Sequence, residues 1–251
     1  MIKVKSPREV ELMRMAGKIT AAARAIARDM VEPGVQTREI DRAVHAYIAK
    51  MGAKPSFLNY NGFPASACIS INEEVIHGIP GDRKIAEGDV VSVDVGAYIG
   101  GFHGDCAGSY IAGEGAESAQ KLVRVTRECF YKGIQFARQG FRVSDISAAI
   151  QEYAEQNGYS LVREFVGHGI GEKLHEDPEV PNFGQKGHGP RLIKGMTLAI
   201  EPMVNEGGAG IRILPDKWTV VTKDGKLSAH YENTVLITDG EPEILTISED
   251  M

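Results

Sequence analysis

Apolar residues recur at helical spacing from the start of the chain. Leu12, Ala16, Ile19, Ala23, Ile26 and Met30 lie three or four apart, which lines one face of an α-helix. Ser6-Pro7-Arg8-Glu9 in front of them is a capping box with proline at the first helical position, so the helix starts there and runs to about Val31. Glu32-Pro33-Gly34 stops it. A second amphipathic stretch, with Ile40, Val44, Tyr47 and Met51 on one face, predicts a helix from about Thr37 to Gly52. The later chain repeats the plan, with one helix from about Leu122 to Phe136, an interruption at Gly140, and another from about Ser144 to Gly158.

Set at an offset of 106, Gly34, Ile40, Ala43, Tyr47 and Gly52 fall on Gly140, Ile146, Ala149, Tyr153 and Gly158. Further matches follow at slightly different offsets, as loop insertions would produce. Glu74, His77 and Pro80 match Glu172, His175 and Pro178; Gly88 and Asp94 match Gly195 and Glu201; Asp105 and Gly113 match Glu232 and Gly240. A two-fold internal repeat is the reading that accounts for all of them. Each half is two helices followed by strands, an α+β arrangement with a pseudo-symmetric centre. No Pro/Gly/Ser-rich linker divides the halves, so residues 1–251 are expected to form a single domain.

Between the helices the period changes to two. Val91, Val93 and Val95 alternate with Ser92, Asp94 and Gly96, and Gly100-Gly101 signals a two-residue hairpin turn. That turn places Asp105 opposite Gly96, one same-face step from Asp94, so the two carboxylates emerge diagonally on one face. Taken alone, such a hairpin is better read as a solvated face whose acids aid solubility. The repeat changes the balance. Glu201 follows the apolar Leu198-Ala199-Ile200, and Glu232 sits in Ser-Ala-His-Tyr-Glu-Asn-Thr-Val-Leu-Ile. Four carboxylates related by internal symmetry converge at the axis, and that concentration of negative charge calls for about two divalent ions.

His168, in Phe-Val-Gly-His-Gly-Ile-Gly, has no counterpart in the first half. One imidazole added to oxygen ligands favours Mn, Fe, Co or Zn over Mg and Ca. The surrounding G-x-G-x-G string lacks the strand and helix context of a phosphate loop. The repeat-related His77 and His175 are expected to flank the centre as donors to substrate or intermediate. His103 and His230 lie near candidate ligands without an assigned role, and His45 and His188 have none.

Composition narrows the field. The chain has 251 residues, 43% hydrophobic and 25% charged, and a net charge of −6, ordinary for a soluble globular protein. Lys and Arg are scattered, so no basic arm for nucleic acid is present. There is no signal-peptide pattern, and no apolar run reaches membrane-span length. The cysteines, Cys68, Cys106 and Cys129, are odd in number and form no CxxC pair, which fits a reducing cytoplasm.

In order along the chain stand Ile-His-Gly-Ile-Pro (76–80), Val-Asp-Val (93–95) and His-Gly-Asp (103–105). Gly-His-Gly-Ile-Gly with Leu-His-Glu-Asp-Pro (167–178), Ile-Glu-Pro-Met (200–203) and Tyr-Glu-Asn-Thr (231–234) follow. Jointly these motifs resemble the type I methionine aminopeptidases of the pita-bread metallopeptidase family, from the first helix to Ile244. The resemblance implies a pita-bread fold around a central antiparallel sheet and a cytoplasmic dinuclear-metal enzyme. Such an enzyme removes the initiator methionine from nascent polypeptides and Met-starting peptides, preferring a small second residue. It implies Asp94 on one metal, His168 and Glu201 on the other, and Asp105 and Glu232 bridging both. His77 would bind the scissile peptide, His175 would stabilise the oxyanion, and Glu201 would act as general base. Tyr60, Phe63, Cys68 and Trp218 would form the methionine pocket, where aromatic walls suit a thioether. Phe63 stands where many bacterial relatives have tyrosine, and Leu174 where they have an aromatic.

Glu201 and Glu232 lie 31 residues apart, too close for the helical insert of the type II enzymes. The same resemblance implies a monomer with transient ribosome proximity, no membrane and no specific nucleic acid. Two other readings share the motifs: an Xaa-Pro aminopeptidase or prolidase, which usually carries a large extra N-terminal domain, and a non-catalytic pita-bread binding protein, which would lose ligands.

Overall fold

The computed structural model describes residues 2–247. Three of its four long helices fall where the periodicity places them, α1 Pro7–Asp29, α2 Thr37–Lys50 and α4 Val143–Gln156, whereas α3 Glu117–Ile134 begins earlier than the expected Leu122. The capping box is present, with Ser6 Oγ accepting from the Glu9 N–H and the Glu9 carboxylate accepting from the Ser6 N–H at 2.7 Å.

Nine strands make the main sheet: β1 Lys54–Pro55, β2 Ala67–Ile71, β3 Val90–Ile99, β4 Phe102–Ile111, β5 Gly167–Gly169, β6 Glu176–Val180, β7 Thr197–Ile200, β8 Glu232–Leu236 and β9 Glu243–Ile244. Their order is β1-β3-β4-β8-β7-β5-β6, with β2 also on β3 and β9 also on β8, and these neighbours pair antiparallel. One face packs on the helices in two cores. Ile40, Val44 and Ile48 of α2 meet Val91, Val93 and Val95 in the first. Phe130, Ile146 and Ile150 of α3 and α4 meet Leu198, Ile200 and Val235 in the second. The opposite face carries the charged residues.

The two-fold repeat is visible in the backbone. Gly34 and Gly140, Gly52 and Gly158, and Gly88 and Gly195 all have left-handed φ between +71° and +99°, which a side chain would strain. The Ile85 N–H donates to Val35 O and the Leu192 N–H to Phe141 O, the same contact in each half. One expected match shifts. Asp94 faces Ala107, whereas its mate Glu201 falls opposite Glu232, because the Asn233–Ile200 register resumes at His230–Met203 after the irregular Glu201, Pro202 and Tyr231. Glu232 therefore occupies the place of Ala107, and the mate of Asp105 is His230. The expected Asp105–Glu232 symmetry pair is displaced by one same-face step.

Helix α1 crosses the sheet at close range. A Cβ on Gly17 would lie 2.2 Å from the Leu245 carbonyl oxygen, and one on Gly104 2.9 Å from the α1 backbone. Glycine at an interior helix position is otherwise unfavourable, so here close packing decides. Gly17→Ala is expected to destabilise by about 1–3 kcal/mol despite the better helix propensity of alanine. Urea unfolding measures this, and a stabilised variant would contradict the packing argument.

Candidate metal centre

Sheet register alone explains why distant carboxylates meet. Residues directly opposite across antiparallel strands share a face. One row across the sheet reads Cys68, Asp94, Ala107, Glu232 and then Glu201. The adjoining same-face row reads Gly96, Asp105, Thr234, Ala199 and His168. Thr234 is tied to Asp105 by two bonds, its Oγ1 accepting from Asp105 N–H at 3.0 Å and donating to Asp105 O at 2.9 Å. The positions between the five charged or imidazole side chains hold Gly, Ala or Thr, leaving space above the sheet.

Asp105, His168 and Glu232 each offer a ligand atom, and these atoms lie within 4.8 Å of one another. The His168 Nδ1–H donates to the Gly169 carbonyl at 2.9 Å. A carbonyl can only accept, so this bond leaves the Nε2 lone pair facing the acids, 3.5 Å from Glu201. Burial holds His168 neutral, with its pKa lowered to about 3, and the neighbouring His175 adds to the shift.

The acids are equally far from their ordinary state. Burial pushes Asp94 up to about 7, opposed by hydrogen bonds involving Asp105 and the Val95 backbone. Asp105, Glu201 and Glu232 are raised well above the usual range, first by burial and then by one another's charge. Asp94 Oδ1, Asp105 Oδ1 and Glu232 Oε1 are buried acceptors with no hydrogen-bond partner. Buried acceptors without donors are costly, and here they point into one space lined also by an imidazole lone pair. That donor set fits divalent metal.

A consequence can be measured on the metal-free protein. Each raised carboxyl binds its proton more tightly when folded than when unfolded, so its contribution is complete below the unfolded pKa of about 4. It is lost as pH climbs through the folded value, about 7 for Asp94. The chelator-stripped protein is expected to lose thermal stability across that window, and added divalent metal to flatten the slope. A melting temperature that rises with pH in chelator would contradict this.

Beside the acids opens a cavity of about 180 Å³. Tyr60, Phe63, Cys68, His77, His175 and Trp218 all line it, as do Phe57, Asn61 and Leu174. Phe63 and Trp218 meet edge to face at 5.2 Å. Tyr60 Oη and His175 Nδ1 are hydrogen-bonded at 2.7 Å, and the His175 ring lies 4.2 Å from that of His168. His77 also lines the cavity, with its backbone in the left-handed region at φ +58°. It is held there by Gly78, whose N–H donates to Ser70 Oγ and whose carbonyl accepts from Ile69 N–H. Strain in a non-glycine residue persists where the surroundings over-determine it. Burial and the nearby His175 lower His77 to about 4.

Several residues here carried no sequence signal. Phe57 is one aromatic among many, and Arg24 reads as an ordinary helical arginine. Yet Arg24 is buried behind the sheet, donating to the carbonyls of Ala107 and Glu232. Asn182 donates to the Glu201 carbonyl at 2.9 Å. The buried His230 places Nε2 3.9 Å from both Glu201 and Glu232, where the shifted repeat puts it. His103 is set back from the acids, bonded to Ser56 Oγ at 2.9 Å.

Comparison with known proteins agrees with this geometry. Residues 11–239 match the model of metallopeptidase family M24. The methionine aminopeptidase of Clostridium perfringens is 55% identical, the match covering 98% of this chain and 99% of that protein. Methionine aminopeptidase 1 of Bacillus subtilis is 50% identical, with 98% and 99% covered. The crystal structure of the Thermotoga maritima methionine aminopeptidase matches with a TM-score of 0.97 at 47% identity, covering 99% of this chain and 100% of that one. Prolidase from Pyrococcus furiosus matches at a TM-score of 0.81 and 23% identity, and only 66% of it is covered; that likeness is one of fold. A buried acidic centre beside an aromatic pocket, a family match over most of the chain and full-length relatives at half identity or more make this chain a member of metallopeptidase family M24, on its methionine aminopeptidase branch.

Proposed function

We propose that this chain is a dinuclear-metal aminopeptidase, a single catalytic domain, that removes the N-terminal methionine of nascent proteins and peptides when the second residue is small. The observation that carries the reading is the pair of same-face rows, which aim four carboxyls and one imidazole at one space beside an aromatic-lined pocket. Asp94, Asp105, His168, Glu201 and Glu232 would hold the metals, with Asp105 and Glu232 shared between them. Two divalent ions, of Co, Mn, Fe or Zn, supply Lewis acidity and ready activation of water at neutral pH.

The chain's own groups do the rest. Tyr60, Phe63, Cys68 and Trp218 enclose the thioether, and sulfur–aromatic contact favours methionine there. The acidic centre draws in the substrate's free amino terminus, so cleavage stops at one residue. Glu201 takes a proton from the attacking water and returns it to the leaving amine nitrogen as the peptide C–N bond breaks. His175 donates from Nε2 to the carbonyl oxygen as it gains negative charge, which requires Tyr60 to donate to Nδ1. His77, which also lines the cavity, binds the scissile peptide. Among the described residues no helix is long and apolar enough to cross a membrane, and the proposed setting is the cytoplasm, as a monomer working near the ribosome.

A peptide assay tests this reading. Met-Ala-Ser is expected to be cleaved with added Mn, Fe, Co or Zn and not in chelator, Met-Leu-Ser poorly, and an Xaa-Pro peptide not at all. Preferred cleavage of the Xaa-Pro peptide would make it a prolidase.

The same specificity makes a prediction about the chain itself. Residue 2 is Ile, large and β-branched, so the untagged protein is expected to keep Met1, which lies outside the described residues. Intact mass on protein from its native host reads this directly, and a chain beginning at Ile2 would contradict the small-residue preference.

A further inference from the structure

The loop that carries His175 is anchored from an unexpected direction. Lys5 lies 170 positions earlier, in the extended segment before α1. Its Nζ donates to Glu176 Oε2 at 2.8 Å, and both side chains are 4% exposed. Glu176 follows His175 directly. Its other carboxylate oxygen accepts from the Lys173 N–H at 3.1 Å, so one buried carboxylate joins Lys5 to both ends of the turn holding Leu174 and His175. Gly171 opens that loop with Lys5 beneath it, where a Cβ would come within 2.6 Å of Nζ and 2.9 Å of Glu176 Oε1. The Lys5 backbone is fixed in turn, its N–H donating to the Gly195 carbonyl at 2.8 Å. Lys3 adds an outer contact to Glu172 at 2.5 Å. Burial raises the Glu176 carboxyl, and the bonds from Lys5 and Lys173 outweigh that effect, so it stays ionised with its pKa below the ordinary value.

We propose that Lys5 is a positioning residue for catalysis: through its buried ion pair with Glu176 it holds the 171–176 loop so that His175 and Leu174 stand against the substrate pocket. The proposal rests on the donor role read for His175 above. Removing the Lys5 ammonium leaves the Glu176 carboxylate buried without its counter-charge, and the loop must shift to rehydrate it. His175 moves with its neighbour. A displacement of this kind, far from the chemistry, weakens turnover strongly while metal ligands on other strands stay in place.

The test is a double-mutant cycle on the metal-loaded full chain with Met-Ala-Ser. It compares wild type, Lys5→Met, His175→Ala and the double variant, with metal content measured for each. Lys5→Met is expected to lower kcat about 10-fold or more at unchanged metal content, and Lys5→Arg to recover most of it. In the His175→Ala background the Lys5→Met effect should shrink to less than about twofold, because coupled residues are non-additive. Equal fold losses in both backgrounds, or wild-type kcat for Lys5→Met, would overturn the proposal. If His175→Ala itself turns over normally, the donor reading of His175 fails and this proposal with it; additivity with an impaired His175→Ala defeats the proposal alone. Should Lys5→Met not fold, Glu176→Gln replaces it in the same cycle. The carboxamide keeps the Lys173 contact and weakens the Lys5 contact, so the same coupling in smaller measure is expected.

Discussion

Alanine at Asp105 or at Glu232 is expected to abolish peptide hydrolysis and metal binding together, with turnover falling by more than about 10³-fold. Both side chains are buried and adjoin His168 Nε2, and each has an acceptor with no protein donor. Each is proposed to serve both ions, so its loss should release both. The folded state should survive the change. In metal-free protein these carboxyls are held above their ordinary pKa by burial and mutual repulsion, so deleting one relieves the others. The metal-free variants should therefore melt no lower than metal-free wild type, while added metal raises the melting temperature of wild type alone. Metal analysis and calorimetry on the same samples read both effects. Near-normal turnover in either variant would sink the two-metal assignment.

His175→Ala should act in the opposite pattern: metal content unchanged and kcat lower by about 10²-fold. Its ring borders the cavity, and its Nδ1 is bonded to Tyr60 Oη, which leaves Nε2 free for substrate. The loss should fall on kcat more than on KM, since charge on the carbonyl oxygen develops in the transition state. His77→Ala should also impair turnover without metal loss, because His77 lines the same cavity and packs against Phe165 and Trp218. Loss of metal in either variant would make that histidine a ligand and reassign both roles.

Where α1, α2 and α4 begin, and how one hairpin pairs, could be read directly from residues, whereas α3 starts at Glu117 with no capping side chain to mark it. Ser6 and Glu9 cap α1 as their spacing requires, and Gly100-Gly101 sets Asp105 opposite Gly96. Tyr60, Phe63, Cys68 and Trp218, singled out by their motifs, line one cavity. These features depend on periodicity, caps and turn geometry, which act over a few residues.

What the sequence could not supply is the register between strands far apart in the chain. That β8 inserts between β4 and β7, setting Glu232 beside Ala107 and Thr234 beside Asp105, follows from the packing of two helical cores behind one sheet. Matching by residue identity paired Asp105 with Glu232, and the sheet moved that match by one step to His230. A same-face step changes neither burial pattern nor alternation, so nothing local marks it. Arg24 behind the sheet and Lys5 beneath the His175 loop belong to the same class. Periodicity, caps and motifs mark the elements, the first hairpin and the residue types of the centre. Which residues meet is not marked locally, because long-range pairing is selected by the packing of the whole chain.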